Sequence, residues 1–96
     1  SEVIRKLHGL MHDKPSKTTI EIDDNVHVDD EYGMYMNHSF TPNCCIQNGA
    51  IVALEDIPAD TELTFDYSIN ETNMACPFVD NQTKQIVVGK YQWLKD

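Results

Sequence analysis

Two short stretches hold the residues of this chain best suited to chemistry. The first, MNHSFTPNCC at residues 36–45, gathers Asn37, His38, Asn43 and the adjacent Cys44 and Cys45 into one polar connector broken by Pro42. The second, ELTFDY at residues 62–67, is an alternating apolar run that ends on Tyr67. His38 close to Cys44 or Cys45 has the makings of a thiol–imidazole pair, but a thiolate needs an electropositive setting. This chain carries sixteen acidic residues against seven Lys and Arg, a net charge of −9. His8 and His12 stand four apart, yet Gly9 between them and Pro15 beyond them argue against a helix, and no matching acidic or cysteine ligand accompanies them. A single tyrosine, whether Tyr35 or Tyr67, ordinarily just finds one partner for its hydroxyl. The two stretches taken together carry more than any of these residues alone.

The elements that must position them are short and β-rich. EVIRKL at residues 2–7 reads as a strand, and HGLMHDKPSK as loop. Residues 18–30 read as a hairpin: Ile20 and Ile22 alternate, Asp23-Asp24-Asn25 supply the turn, and Val26 and Val28 alternate on the return. Residues 44–54 suggest a second hairpin around Asn48-Gly49, one of the strongest two-residue turn signals. ELTFDY predicts a strand over 62–67, residues 70–84 look irregular, and QIVVGKYQWL predicts a closing strand over 85–94 anchored by Trp93. No window shows a clean 3.6-residue apolar period, so long helices are not expected.

Composition narrows the function classes. Ninety-six residues suit one domain with a modest core. The acidic balance disfavours binding to nucleic acid and favours a basic peptide partner. No apolar run approaches the ~20 residues needed to cross a bilayer, and the N-terminus lacks a signal-peptide pattern, so a soluble domain is expected. Three cysteines with no CxxC are not a disulfide framework and point to a reducing, intracellular compartment.

MNHSFTPNC followed about twenty residues later by ELTFDY resembles the SET-domain family of protein-lysine methyltransferases, whose hallmark segments are N-H-S-x-x-P-N and E-L-x-x-D-Y. The matching residues are Asn37, His38, Ser39, Pro42 and Asn43, then Glu62, Leu63, Asp66 and Tyr67. The resemblance implies a mainly β, β-clip-like SET fold of short strands and small sheets with a knot-like crossing. It implies transfer of a methyl group from S-adenosylmethionine to a lysine amine by in-line displacement without a metal, on a basic protein tail such as a histone. The compartment would be nuclear in a eukaryote or cytoplasmic in a bacterium. Tyr67 would be the catalytic tyrosine and would also help bind the cofactor. Asn37 and His38 would hold S-adenosylmethionine. Phe65 and Tyr35 would line the substrate channel, with Phe65 where relatives carry Phe or Tyr to set the number of methyl groups.

Departures from the family pattern carry expectations of their own. Phe40 stands where relatives often have a zinc-binding cysteine, and the tail holds only Cys76. No structural zinc is therefore expected, and Phe78, Tyr91 and Trp93 become the candidates that close the channel by packing. The chain begins at SEVI with no Gly-rich strand pair before it, which reads as a single domain over residues 1–96 trimmed at its N-terminus. Two alternatives remain at this level. One is a non-catalytic SET remnant serving as a peptide-binding or scaffold module; the other is an unrelated small β interaction domain.

Overall fold

A computed structural model describes residues 2–90 and Gln92. Ten short strands appear among them: β1 (Val3–Lys6), β2 (Leu10–His12), β3 (Ile20–Asp23), β4 (Val26–Asp29), β5 (Asn37–His38), β6 (Cys44–Gln47), β7 (Ala50–Ala53), β8 (Thr64–Phe65), β9 (Phe78–Val79) and β10 (Ile86–Val87). A 3-10 turn covers Gly33–Tyr35, and one helical turn, α1, covers Tyr67–Asn70. The strands form small sheets with orders β1-β7-β6, β2-β4-β3, β5-β8 and β9-β10. The fold is mainly β, as alternation and composition predict. None of the described helices is long and apolar enough to cross a membrane.

Both predicted hairpins form, for the reasons their turns supply. Asn48 and Gly49 take φ of 52° and 74°, the pair of left-handed residues whose twist suits two antiparallel strands. Asn25, at φ 55°, turns β3 into β4, an excursion that asparagine tolerates better than most residues. The apolar members of these strands meet inside. Leu7, Ile20, Val28, Met36, Cys44, Ile51 and Phe65 form one buried cluster, with Ile22, Ile46, Ile57, Leu63 and Tyr67 packed against it. Each Leu, Ile, Val, Met or Phe among them contributes roughly 1.5–3 kcal/mol when fully buried.

Three predicted bounds need correction. The stretch read as loop contains β2, which pairs with β4 through Leu10↔Asp29, Met11↔Val28 and His12↔His27. Leu10 and Met11 stay exposed, so backbone pairing rather than side-chain burial makes this strand and leaves no apolar alternation to read. The tyrosine strand is cut to Thr64–Phe65 because Asp66 caps α1, its carboxylate accepting from the Ser68 N–H at 2.9 Å. The closing strand is Ile86–Val87, paired with β9. Residues 88–90 are not strand, and Tyr91 and Trp93 lie outside the described residues.

One polar residue organises the centre. Asp30 is fully buried and accepts from the Arg5 guanidinium at 3.1 Å and from the backbone N–H groups of His8, Tyr32 and Gly33 at 3.0, 2.9 and 2.6 Å. It thereby ties β1 and the segment after it to the 3-10 turn that delivers Met36 and Asn37.

Candidate active site

The two chemistry-bearing stretches lie side by side because β5 and β8 pair in parallel, with Asn37 opposite Thr64 and His38 opposite Phe65. The Ser39 N–H continues the pairing to the Phe65 carbonyl at 3.1 Å. Asn43 locks the register. Its amide donates to the Glu62 carbonyl at 2.8 Å, and its side-chain oxygen accepts from the Thr64 N–H at 2.9 Å. Pro42 and Asn43 thus shape the connector, and Asn43 does so by copying a strand's hydrogen bonds.

His38 points inward, its side chain only 2% exposed. Nδ1 accepts from the Tyr67 N–H at 3.0 Å, which requires that nitrogen to be unprotonated and puts the ring proton on Nε2. Burial lowers the His38 pKa, and the opposing fields of Asp66 and Asp80 do not overcome it. The imidazole is therefore neutral at pH 7. Its Nε2–H is buried without a hydrogen-bond partner among the described residues, and such orphans are rare in folded proteins.

Tyr67 donates its hydroxyl proton to the Met36 carbonyl. Burial raises its pKa, with Glu71 and Glu62 adding negative potential, so the phenol stays protonated. An aromatic cluster fixes the ring: centroids lie 4.8 Å from Phe65, 5.3 Å from His38 and 6.2 Å from Phe78. Phe40 packs on His38 edge-on at 4.3 Å.

Tyr67 and Phe78 border two cavities at once. One, of about 350 Å³, is lined by Ile20, Met36, Phe65, Glu71 and Met74 among others. The other, of about 590 Å³, is lined by Asn37, His38, Phe40, Glu62 and Asp80 among others. The arrangement presents a neutral phenol and a backbone carbonyl where two compartments of mixed lining meet, the first somewhat more apolar and the second edged by Glu62 and Asp80.

Asn37, His38, Phe65 and Tyr67 are therefore brought together. Asn37 is exposed and donates to the Glu62 carboxylate at 2.6 Å. Tyr35 stands apart, 77% exposed and lining neither cavity. Phe78 reaches the site from β9. Reading the sequence missed the Met36 carbonyl and Glu71. The first is backbone and has no side-chain signal. The second, four residues after Tyr67, was findable from Asp66-x-Ser as a helix start, since residues four apart share a helix face.

Comparison with known proteins agrees with this geometry. The SET-domain family model matches residues 5–68, well over half of the chain. No solved structure gives a significant match. Members of that family are in general protein-lysine methyltransferases, and the matched span carries both chemistry-bearing stretches. The chain belongs to the SET-domain family.

Proposed function

We propose that this chain methylates a lysine of a basic protein segment, with S-adenosylmethionine as the methyl donor. The observation that carries the reading is Tyr67 standing on the wall between the two cavities. A transfer between two substrates needs each to approach from its own side and meet at one point.

The residues present fit the cofactor. The buried Nε2–H of His38 is a donor without a protein partner among the described residues, and His38 helps line the cavity that Asn37, Glu62 and Asp80 also line. Asn37 and His38 would hold S-adenosylmethionine there, and the carboxylates favour its positive charge. When bound, it supplies a methyl group on a sulfonium sulfur, activated for displacement by an amine. The knot-like crossing implied by the family belongs to this proposal as well.

A lysine ammonium, with pKa ~10.4, must shed a proton to solvent water before its lone pair can attack. The apolar wall of Met36, Phe65 and Phe78 disfavours the charged form by desolvation. Tyr67 is not the base, because its pKa is raised rather than lowered. Its hydroxyl proton is engaged by the Met36 carbonyl, which leaves its oxygen lone pairs to accept an amine N–H and aim the nitrogen. Rate then comes from alignment. Phe65 offers no hydroxyl to hold a water or an amine in place, which suits more than one round of methylation.

Calorimetry with S-adenosylmethionine tests the reading: saturable binding that weakens on Asn37→Ala is expected. No binding would overturn it and leave the alternative, a peptide-binding module of the same fold without transfer.

A further inference from the structure

We propose that Glu21, His27 and Glu71 form a binding site for one first-row divalent cation of the zinc class, held by two carboxylates and an imidazole. The proposal does not rest on methyl transfer, although Glu71 also borders the cavity of Tyr67. Each of the three residues offers one ligand atom, and these atoms all lie within 4.8 Å of one another.

Their burial is the unexpected feature. Along β3 and β4, Ile20 and Val28 face the core, and alternation assigns Glu21 and His27 to the opposite face, which is ordinarily wet. Glu21 and His27 are register partners, so their side chains lie together on that face. Residues 70–72 close over them, and Glu21, His27 and Glu71 are only 6%, 2% and 6% exposed. His27 Nδ1 is buried and has no hydrogen-bond partner among the described residues. The cluster thus combines two buried carboxyl groups with a buried imidazole, one of whose nitrogens no described group satisfies. Carboxylates confined together without water call for a positive charge between them.

The ligands are also held, as metal ligands usually are by a surrounding shell of hydrogen bonds. Glu21 accepts from the Thr72 N–H at 2.8 Å and from the Thr72 hydroxyl at 2.7 Å. Glu71 accepts from the Glu21 N–H at 3.1 Å and from the Asn70 amide. Imidazole with carboxylates, and no thiolate, suits zinc, cobalt or manganese rather than a soft ion. The ligand atoms, all within 4.8 Å of one another, would close to the roughly 3.3 Å separation of four-coordinate zinc ligands by side-chain rotation on binding. A depression lined by Glu21, Asn70, Thr72 and Lys90 gives a route in from solvent. A cation here would tie β3 and β4 to the residues after α1. Because Glu71 also lines the cavity of Phe65 and Tyr67, it would brace that cavity's floor.

The test is titration of the chelator-treated full chain with Co²⁺ alone, read by visible absorption and calorimetry, followed by displacement with Zn²⁺. One equivalent is expected to bind, with saturation. Glu71→Gln and His27→Gln should each weaken binding at least about tenfold, while the exposed Asp13→Asn leaves it unchanged. Should His27→Gln fail to fold, Glu71→Gln decides, because its carbonyl keeps the bonds from Glu21 and Asn70. No saturable uptake by the folded chain overturns the proposal and leaves a proton or a nearby ammonium as the counter-charge. Uptake unaltered by Glu71→Gln overturns it equally.

Discussion

Glu71→Gln in metal-free, chelator-containing buffer should remove a marked pH dependence from this domain's stability near neutrality. Burial raises the Glu71 carboxyl to about 7 from its ordinary 4.5. Hydrogen bonds from Glu21 and Asn70 and the Lys90 charge oppose the rise, while the Glu21 charge adds to it. The folded pKa lies above the unfolded one, so the folded state holds more protons between those values. Stability from this group is full below about pH 4.5, falls as pH rises toward 7, and is lost above that. The interval between 4.5 and about 7 corresponds to about 3 kcal/mol. The amide introduced by the substitution cannot ionise, yet its carbonyl can accept the bonds from Glu21 and Asn70. The variant should therefore match the native chain near pH 4.5 and exceed it by about 3 kcal/mol at pH 8. Urea unfolding followed by circular dichroism at a series of pH values measures the difference directly. A difference that does not change with pH, or a variant less stable at pH 8, would refute the reasoning.

Two further outcomes follow from the site and the core. Phe65→Tyr adds a hydroxyl inside the cavity and should shift products toward monomethyl-lysine; an unchanged product distribution by mass spectrometry removes Phe65 from that role. Asp30 behaves oppositely to Glu71: burial alone would raise its pKa, but Arg5 and the N–H groups of Gly33, His8 and Tyr32 hold it well below the ordinary carboxylate range. Asp30 thus stabilises the fold above about pH 4, an effect lost as pH falls further. Asp30→Asn should cost about 2–4 kcal/mol at pH 7 by leaving Arg5 without its counter-charge, and a loss below about 1 kcal/mol in denaturant unfolding would contradict it.

What the sequence made legible is tied to local rules. Asn48-Gly49 encodes its turn within two residues, and the alternation of Ile20, Ile22, Val26 and Val28 encodes a hairpin. The site was legible through Asn37, His38, Phe65 and Tyr67, because two short motifs kept their residue types and order. Features set by long-range packing were not legible. β2 forms by pairing with β4 while Leu10 and Met11 stay exposed, so nothing in its own residues announces it. Glu21 and His27 occupy positions that alternation gives to solvent, and only closure by residues 70–72 buries them. Tyr35 sits next to the motif in sequence, yet the turn over Gly33–Tyr35 directs it outward.

Methyl transfer by Tyr67→Phe, compared with the native chain, tests the central claim most directly. The substitution removes only the hydroxyl that bonds the Met36 carbonyl, and the ring keeps its contacts with Phe65, His38 and Phe78. With S-adenosylmethionine and a lysine-containing basic peptide, mass spectrometry should show methylated lysine from the native chain. The variant should be at least about a hundredfold slower, the scale set by lost alignment, while still binding the cofactor. Full activity in the variant, or no transfer by the native chain, would contradict the account.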